Sequence, residues 1–373
     1  MDSLRYGLGD DAPLSADERR PVVVWNVTRT CNLACIHCYS DSASRSYAGE
    51  LTNAQGRALL EDLASYGVPA VLFSGGEPLA RPDLLELAAY ARTLGLRVTL
   101  STNGTLIDSR KAQLLRDIGF SYVGISLDGI GHINDAFRGK PRAFSRAVRG
   151  IRNCKAVGQK VGLRLTLTPH NVRGLDDIFE FIESEGVERA CFYHLVPAGR
   201  GRGETALTHD ESRRAVETIF RRTRELVENG DPREILTVDN HTDGAFLYLI
   251  LLAEDPAAAE RAHAALAWNG GARFASGVGI ADVDPQGDVH PDQFWKSAVL
   301  GNVKERRFSE IWADPANELL KNLRDRLPHL KGRCAACRFL DICGGNFRAR
   351  ALAETGDMWA PDPACYLTDR EIA

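Results

Sequence analysis

Between residues 21 and about 196 the chain alternates short apolar runs with amphipathic stretches, and this alternation limits the fold more than any other feature. The apolar runs at 22–27, 70–73, 97–101, 122–126, 161–167 and 189–195 have the length of buried strands. Helix signals lie between them. Thr52 and Gln55 form a capping box that opens a helix to Tyr66. Pro82 and Gly95 bracket a second helix, and Asp108 caps a third that ends near 118. The stretches 143–157 and 175–185 complete the series. Strands joined by helices become parallel neighbours with right-handed crossovers, so the fold class is α/β around a parallel sheet. Periodicity alone admits both an open sheet and a partial barrel.

After Pro197 the alternation stops. Gly199-Arg-Gly-Arg-Gly203 reads as a turn-rich break, and residues 210–228 and 245–267 read as helices. Residues 279–289 suggest a short hairpin turning at Pro285-Gln-Gly287, and 308–327 suggests a helix. The chain therefore divides into a segment 1–20, an α/β unit 21–197, a helical linker region 198–275 and a cysteine-bearing unit 276–373.

The chemistry gathers at strand ends, where α/β folds build their sites. Cys31, Cys35 and Cys38 form a C-x3-C-x2-C loop after the first strand, followed by Tyr39. Three thiolates on one short loop can hold three irons of a 4Fe-4S cluster and leave the fourth open to a small molecule. The spacing also suits an electron-transfer cluster or a zinc knuckle. Nine cysteines with no apolar leader in residues 1–20 argue for metal binding over disulfides. Cys154 and Cys191 stand alone in apolar surroundings and read as core. The second group is Cys334, Cys337, Cys343 and, after a longer gap, Cys365. Four thiolates suit a closed 4Fe-4S cluster or a zinc site. The loops around them can bury little apolar surface, so a metal is expected to organise them. Three further strand-end turns carry polar side chains: Phe73-Ser-Gly-Gly-Glu-Pro78, Ser101-Thr-Asn-Gly104 and Ile125-Ser-Leu-Asp128. Singly, each reads as ordinary turn and cap formation.

Taken in order, the four strand-end motifs resemble the radical S-adenosylmethionine (SAM) superfamily over residues 21–197. The resemblance implies a partial (β/α)6 TIM barrel whose open iron chelates the amino and carboxylate groups of SAM. One electron then cleaves the cofactor to methionine and a 5′-deoxyadenosyl radical. It implies Cys31, Cys35 and Cys38 as metal ligands. Tyr39, Gly75, Gly76, Glu77, Ser101, Asn103, Ser126 and Asp128 become cofactor-binding residues, with Glu77 against the cofactor's ammonium. The C-terminal cysteines resemble the SPASM, or twitch-like, iron–sulfur extension of many members. That makes Cys334, Cys337, Cys343 and Cys365 ligands of an auxiliary 4Fe-4S cluster. His290-Pro-Asp292 and Phe347 stand where a full extension has further cysteines, which implies two clusters in all. Members also need an electron donor such as flavodoxin or ferredoxin.

Longer stretches narrow the resemblance. They are Asp288-Val-His-Pro-Asp-Gln-Phe-Trp295, Leu300-Gly-Asn-Val303, Gly344-Gly-Asn-Phe-Arg-Ala-Arg350 and Gly356-Asp-Met-Trp-Ala-Pro-Asp-Pro-Ala-Cys-Tyr366. They are similar to members that trim an iron-containing tetrapyrrole. One group removes two acetate arms from 12,18-didecarboxysiroheme in the alternative haem pathway, giving iron-coproporphyrin III. The other removes two propionate arms from the same substrate on the haem d1 route. Ser3-Leu-Arg-Tyr-Gly7 and Leu236-Thr-Val-Asp-Asn-His241 are closer to the first group. The carboxylates of such a substrate call for Arg, and Arg164, Arg200, Arg202, Arg348 and Arg350 are the candidates. Tyr193 and His194 close the sixth strand and are candidates to contact substrate or supply a proton. His241, His290 and Asp292 are candidates to meet the substrate or its iron.

Two other classes stay in view. Peptide-modifying members usually carry an N-terminal winged-helix module, and only about twenty residues precede the first strand here. A non-catalytic iron–sulfur carrier has no use for the motifs at Gly75–Glu77 and Ser126–Asp128. A net charge of −4 gives no support to a nucleic-acid partner. The longest apolar run, 245–253, is too short to span a bilayer. The expectation is a cytoplasmic enzyme without nucleic-acid or membrane partners.

Overall fold

A computed structural model describes residues 19–204 and 206–373, so the stretch at residues 3–7 lies outside the described residues. Strands β1 (Val22–Asn26), β2 (Ala70–Ser74), β3 (Arg97–Thr102), β4 (Tyr122–Ser126), β5 (Val161–Leu167) and β6 (Arg189–His194) pair in parallel in chain order. The sheet then extends at both sides. β7 (Glu234–Val238) adds parallel to β6, and β8 (Ile280–Val283) adds parallel to β1. β9 (Asp288–His290) and β10 (Gly301–Asn302) continue antiparallel beyond β8. One ten-stranded sheet in the order β10-β9-β8-β1-β2-β3-β4-β5-β6-β7 thus draws strands from each of the three segments after residue 20. Among the described residues no ladder joins β7 to β8, so the curved sheet keeps an open seam.

Several sequence expectations need correction. β7 was hidden in the stretch expected to be only helical, because a five-residue apolar run between helices carries no pattern of its own. The expected helix 245–267 is two helices, Thr242–Glu254 and Pro256–Asn269. Pro256 cannot continue a helix but suits the first position of a new one, and Asp255 caps the N–H groups of Ala257 and Ala258. Residues 308–327 likewise split into Phe308–Trp312 and Glu318–Arg324, with Asn317 capping the second. A short helix at His132–Phe137 carried no strong signal at all.

The core lies between the sheet and its outer helices. Trp25 and Phe73 are fully buried, with ring centroids 5.7 Å apart. Cys154 and Cys191 are buried, as their surroundings suggested. The middle of the sheet carries polar bulk instead of aliphatic filling. A Cβ on Gly124 would lie 2.7 Å from the Arg164 side chain, so glycine there makes room for it. A Cβ on Gly162 would lie 2.5 Å from the Tyr122 hydroxyl and 2.8 Å from the Arg189 carbonyl. Arg189 in turn stacks on Tyr122 at 4.6 Å. Among the described residues no helix is long and apolar enough to cross a membrane.

Gly162→Ala is therefore expected to destabilise the protein by about 1–3 kcal/mol through overpacking against backbone. Gly203→Ala, whose Cβ meets no atom of the described residues within 4 Å, serves as the neutral control. Thermal unfolding of the two variants side by side checks the difference.

Candidate active site

The cysteine loop follows β1 and has no helix or strand of its own. Its backbone is pinned from four directions. Cys31 N–H donates to the Ala43 carbonyl at 3.0 Å. Ala34 and Ile36 donate to the carbonyls of Arg138 and Phe137, at the end of the short helix His132–Phe137. Arg200 reaches in from the 199–203 turn: its Nε donates to the Cys35 carbonyl at 2.8 Å and its Nη1 to the Ser42 carbonyl at 2.9 Å. Gly199 lies so close that a Cβ there would fall 2.4 Å from the Cys38 carbonyl. The fourth side is the Gly75-Gly76 turn after β2. Cβ atoms on those glycines would sit 2.4 Å from the carbonyls of Thr28 and Thr30, and Gly75 has φ +133°. The glycines are needed first to let two backbones touch.

Cys31, Cys35 and Cys38 face one cavity of about 150 Å³ at the carboxyl ends of the strands. Tyr39, Gly75, Gly76, Ser101, Asn103 and Ser126 line it, as do Arg164, Tyr193, His194 and Arg200. Burial pushes the Cys31 thiol up to about 12, so metal binding there must displace a proton. Burial acts on Cys38 too, but hydrogen bonds from Ser40 and Ser42 outweigh it and hold its pKa below the usual thiol value. Tyr39 ties the loop to the sheet by donating to Asn26 Oδ1 at 2.8 Å, and Asn26 donates to Asp282 on β8 at 2.7 Å.

Two residues expected to bind the cofactor lie outside this lining. Glu77 is fully buried and accepts from the Thr102 hydroxyl at 2.7 Å, Asn103 N–H at 2.8 Å and Leu79 N–H at 3.0 Å. Its carboxylate braces the turns after β2 and β3, and burial raises its pKa. Asp128 is also fully buried. It accepts from Thr166 N–H at 2.9 Å and forms an ion pair with Arg138. Arg138, which sequence reasoning missed, lines the cavity and places Nη1 3.6 Å from the Cys35 sulfur. Its one sequence signal was its place just after the Ser126–Asp128 motif, and an isolated Arg carries little weight.

The arginine candidates separate sharply. Arg348 is buried and donates to the carbonyls of Gly345, Met358 and Ala360. Arg350 is buried against Asp362 at 2.8 Å and also reaches the carbonyls of Leu195 and Asp239. Both are struts of the C-terminal region and line no part of the cysteine cavity. Arg202 is exposed in the 199–203 turn, outside that cavity. Arg200 lines the cavity but is committed to the cysteine loop. Arg164 alone faces the cavity with no hydrogen bond or ion pair to any described residue, its guanidinium stacked 4.7 Å over Tyr193.

The remaining candidates fall on both sides of β7. Burial raises the Tyr193 pKa, which keeps its phenol neutral. His194 is buried with Nε2 2.9 Å from Asp243, whose other oxygen accepts from the Tyr366 hydroxyl at 2.7 Å. His290 is buried, with Nδ1 donating to the Ala298 carbonyl at 2.9 Å. Asp292 and His241 line a different cavity from the cysteine triad. Asp239, which sequence reasoning missed, lines both cavities, and burial pushes its carboxyl up to about 7.

Cys334, Cys337, Cys343 and Cys365 all line a smaller cavity. Among the described residues no three Cys, His, Asp or Glu side chains converge tightly enough for a single ion.

Comparison with known proteins follows the same two-part layout. Residues 25–182 match the radical SAM superfamily, and residues 277–338 match an iron–sulfur cluster-binding domain. The chain is 51% identical to a Methanosarcina barkeri protein named Fe-coproporphyrin III synthase, over 100% of this chain and 95% of the relative. It is 49% identical to the Pre-heme d1 synthase of Dinoroseobacter shibae, over 94% of this chain and 87% of the relative. Streptococcus suis SuiB, solved with its precursor peptide SuiA, shares the fold with a TM-score of 0.75 at 18% identity, covering 95% of this chain and 77% of that one.

The placement of Glu77 yields a test. Glu77→Ala strands three buried donors, each worth about 1–3 kcal/mol. The variant should unfold at a lower temperature even without cofactor, and Glu77→Gln should recover part of the loss. A carboxylate serving only the cofactor would leave the cofactor-free melting temperature unchanged.

Proposed function

The chain belongs to the radical SAM superfamily as one of its enzymes, and from that premise we propose that it removes two acetate arms from 12,18-didecarboxysiroheme to give iron-coproporphyrin III. Full-length similarity to relatives named for tetrapyrrole products supports the substrate class. The observation that carries the reading is Arg164. A guanidinium without an acceptor is costly to hold in a cavity unless an anion joins it there. A planar fork at the floor of the reactive cavity suits a carboxylate arm.

In this reading Cys31, Cys35 and Cys38 would hold three irons of a 4Fe-4S cluster and leave the fourth to bind SAM. Gly75, Gly76, Ser101, Asn103 and Ser126 form the bed of SAM, with Asp128 and Glu77 as positioning residues behind them. Arg138, oriented by Asp128, lies against Cys35. Together the cluster and SAM supply hydrogen-atom abstraction from an unactivated carbon. The protein's task is to hold that carbon in place and keep water out. Arg164 grips the carboxylate, and the neutral Tyr193 phenol beneath it can donate a hydrogen bond. His194, steadied by Asp243, can hold or release a proton at Nδ1. Cys334, Cys337, Cys343 and Cys365 hold one auxiliary cluster, and an external protein such as flavodoxin or ferredoxin delivers electrons.

The 49% identity to Pre-heme d1 synthase favours a second reading, removal of two propionate arms from the same substrate. Both readings predict about eight irons per chain in two 4Fe-4S clusters. Replacing Cys334, Cys337, Cys343 and Cys365 together should remove half the iron, and tightly bound zinc at those positions would refute the auxiliary cluster.

Anaerobic turnover with 12,18-didecarboxysiroheme, read by product mass, separates the readings. Loss of two acetate arms supports the first and loss of two propionate arms the second. Deoxyadenosine formation that ignores tetrapyrroles but rises with a peptide overturns both. Arg164→Met should raise KM for the tetrapyrrole about ten- to a hundred-fold, the worth of one charge-assisted contact of about 1.5–3 kcal/mol.

A further inference from the structure

The open seam of the sheet encloses a second cavity. Its walls include Thr237 and Val238 of β7 on one side and Val22 of β1 and Ile280 of β8 on the other. Its volume is about 320 Å³, within the roughly 300–1,000 Å³ usual for small-molecule sites. It shares Asp239 and Gln293 with the cysteine cavity. A ligand lying in the seam therefore has one edge against the reactive site.

His241 faces this cavity. The other histidines near the sites each have at least one partner: His194 has Asp243, His209 the Pro363 carbonyl, His37 an ion pair with Asp128 at 3.9 Å, and His290 the Ala298 carbonyl through Nδ1, with its Nε2 unpartnered. The His241 ring makes no hydrogen bond or ion pair with any described residue. Burial holds its pKa down to about 3, so the imidazole is neutral with a lone pair to give. Its position is fixed. His241 N–H donates to Asn346 Oδ1 at 2.8 Å, and Asn346 Nδ2 donates to Asn240 Oδ1 at 2.7 Å. Asp239 and Asn346 both adopt left-handed backbone, φ +65° and +59°. Such conformations in non-glycine residues cost free energy and persist only where the surroundings impose them. Among the described residues no second donor set converges on His241 to hold a bare ion. A neutral imidazole that faces a cavity and has no partner among the described residues suits a metal already held inside a large ligand.

We propose that the seam cavity binds the macrocycle of an iron tetrapyrrole and that His241 supplies an axial ligand to its iron. The ring edge then meets Asp239 and Gln293, and its arms reach toward Arg164. This inference rests on the tetrapyrrole reading above.

Ferric iron-coproporphyrin III and metal-free coproporphyrin III are the probes, titrated anaerobically into the holoenzyme. Resonance Raman and electron paramagnetic resonance read the iron ligation, and porphyrin fluorescence reads occupancy by the metal-free ring. Wild type is expected to bind the iron form about ten-fold or more tightly than the metal-free form, with an imidazole-ligated iron. His241→Ala should lose the signature and the preference while keeping its iron–sulfur content and SAM binding, and added imidazole should restore the signature. An unchanged ligation signature and affinity in His241→Ala overturns the assignment and leaves the tetrapyrrole reading standing. Wild type that binds neither probe and shortens no tetrapyrrole overturns the reading beneath it.

Discussion

The loop carrying Cys31, Cys35 and Cys38 forms no regular structure, so its backbone groups must find partners elsewhere. They find them in the end of the helix His132–Phe137, in the Gly75-Gly76 turn and in the guanidinium of Arg200. The buried Arg138–Asp128 pair stands at the centre of this arrangement, since Arg138 contacts the Cys35 sulfur while its carbonyl receives Ala34 N–H. A buried ion pair contributes little net stability, yet removing one member leaves an uncompensated charge. Its value here is geometric: it fixes the loop on rigid elements before any metal arrives.

Charge in the C-terminal region is used in the same internal way. That region joins the main core through residues such as Phe308, Ile311 and Trp312, and around its later loops has smaller apolar clusters, such as the one around Val196, Trp295 and Phe347. Buried guanidinium groups substitute for a core by satisfying carbonyls that no helix or strand satisfies. Arg348 holds three carbonyls, and Arg326 holds those of Leu323 and Ser276. Arg350 connects Asp362 to the ends of β6 and β7. The auxiliary-cysteine region therefore helps set the rim of the reactive cavity, and Asn346 does the same for the loop bearing His241.

Among the described residues the sheet stops short of closure. Closing β7 onto β8 would satisfy two strand edges but remove the seam. The open edge is instead covered by residues from after β9, including Gln293 and Phe347. This leaves a large opening beside a site whose floor is packed with Tyr122, Arg164 and Tyr193.

The sequence by itself determined what depends on neighbours a few residues apart. Strands β1 to β6, their capped helices and the cysteine spacings are local patterns, and each strand-end motif follows from where its strand stops. Asp255-Pro256 was equally local, and there the helix break was legible but passed over. Tertiary structure alone decided which polar side chains face the cavity. Glu77 and Asp128 sit in motifs that point to a cofactor, yet their oxygens are taken by Thr102, Asn103, Leu79, Arg138 and Thr166. Arg164, Arg348 and Arg350 are indistinguishable as residue types. Only the glycine-lined floor around the first and the carbonyls around the other two separate a cavity-facing guanidinium from two struts. β7 pairs with β6 across some forty-five residues, as between Arg189 and Glu234, and β8 pairs with β1 across more than two hundred, as between Val22 and Ile280. Local pattern cannot encode such a pairing, because its free energy comes from contacts that exist only once the chain has closed upon itself.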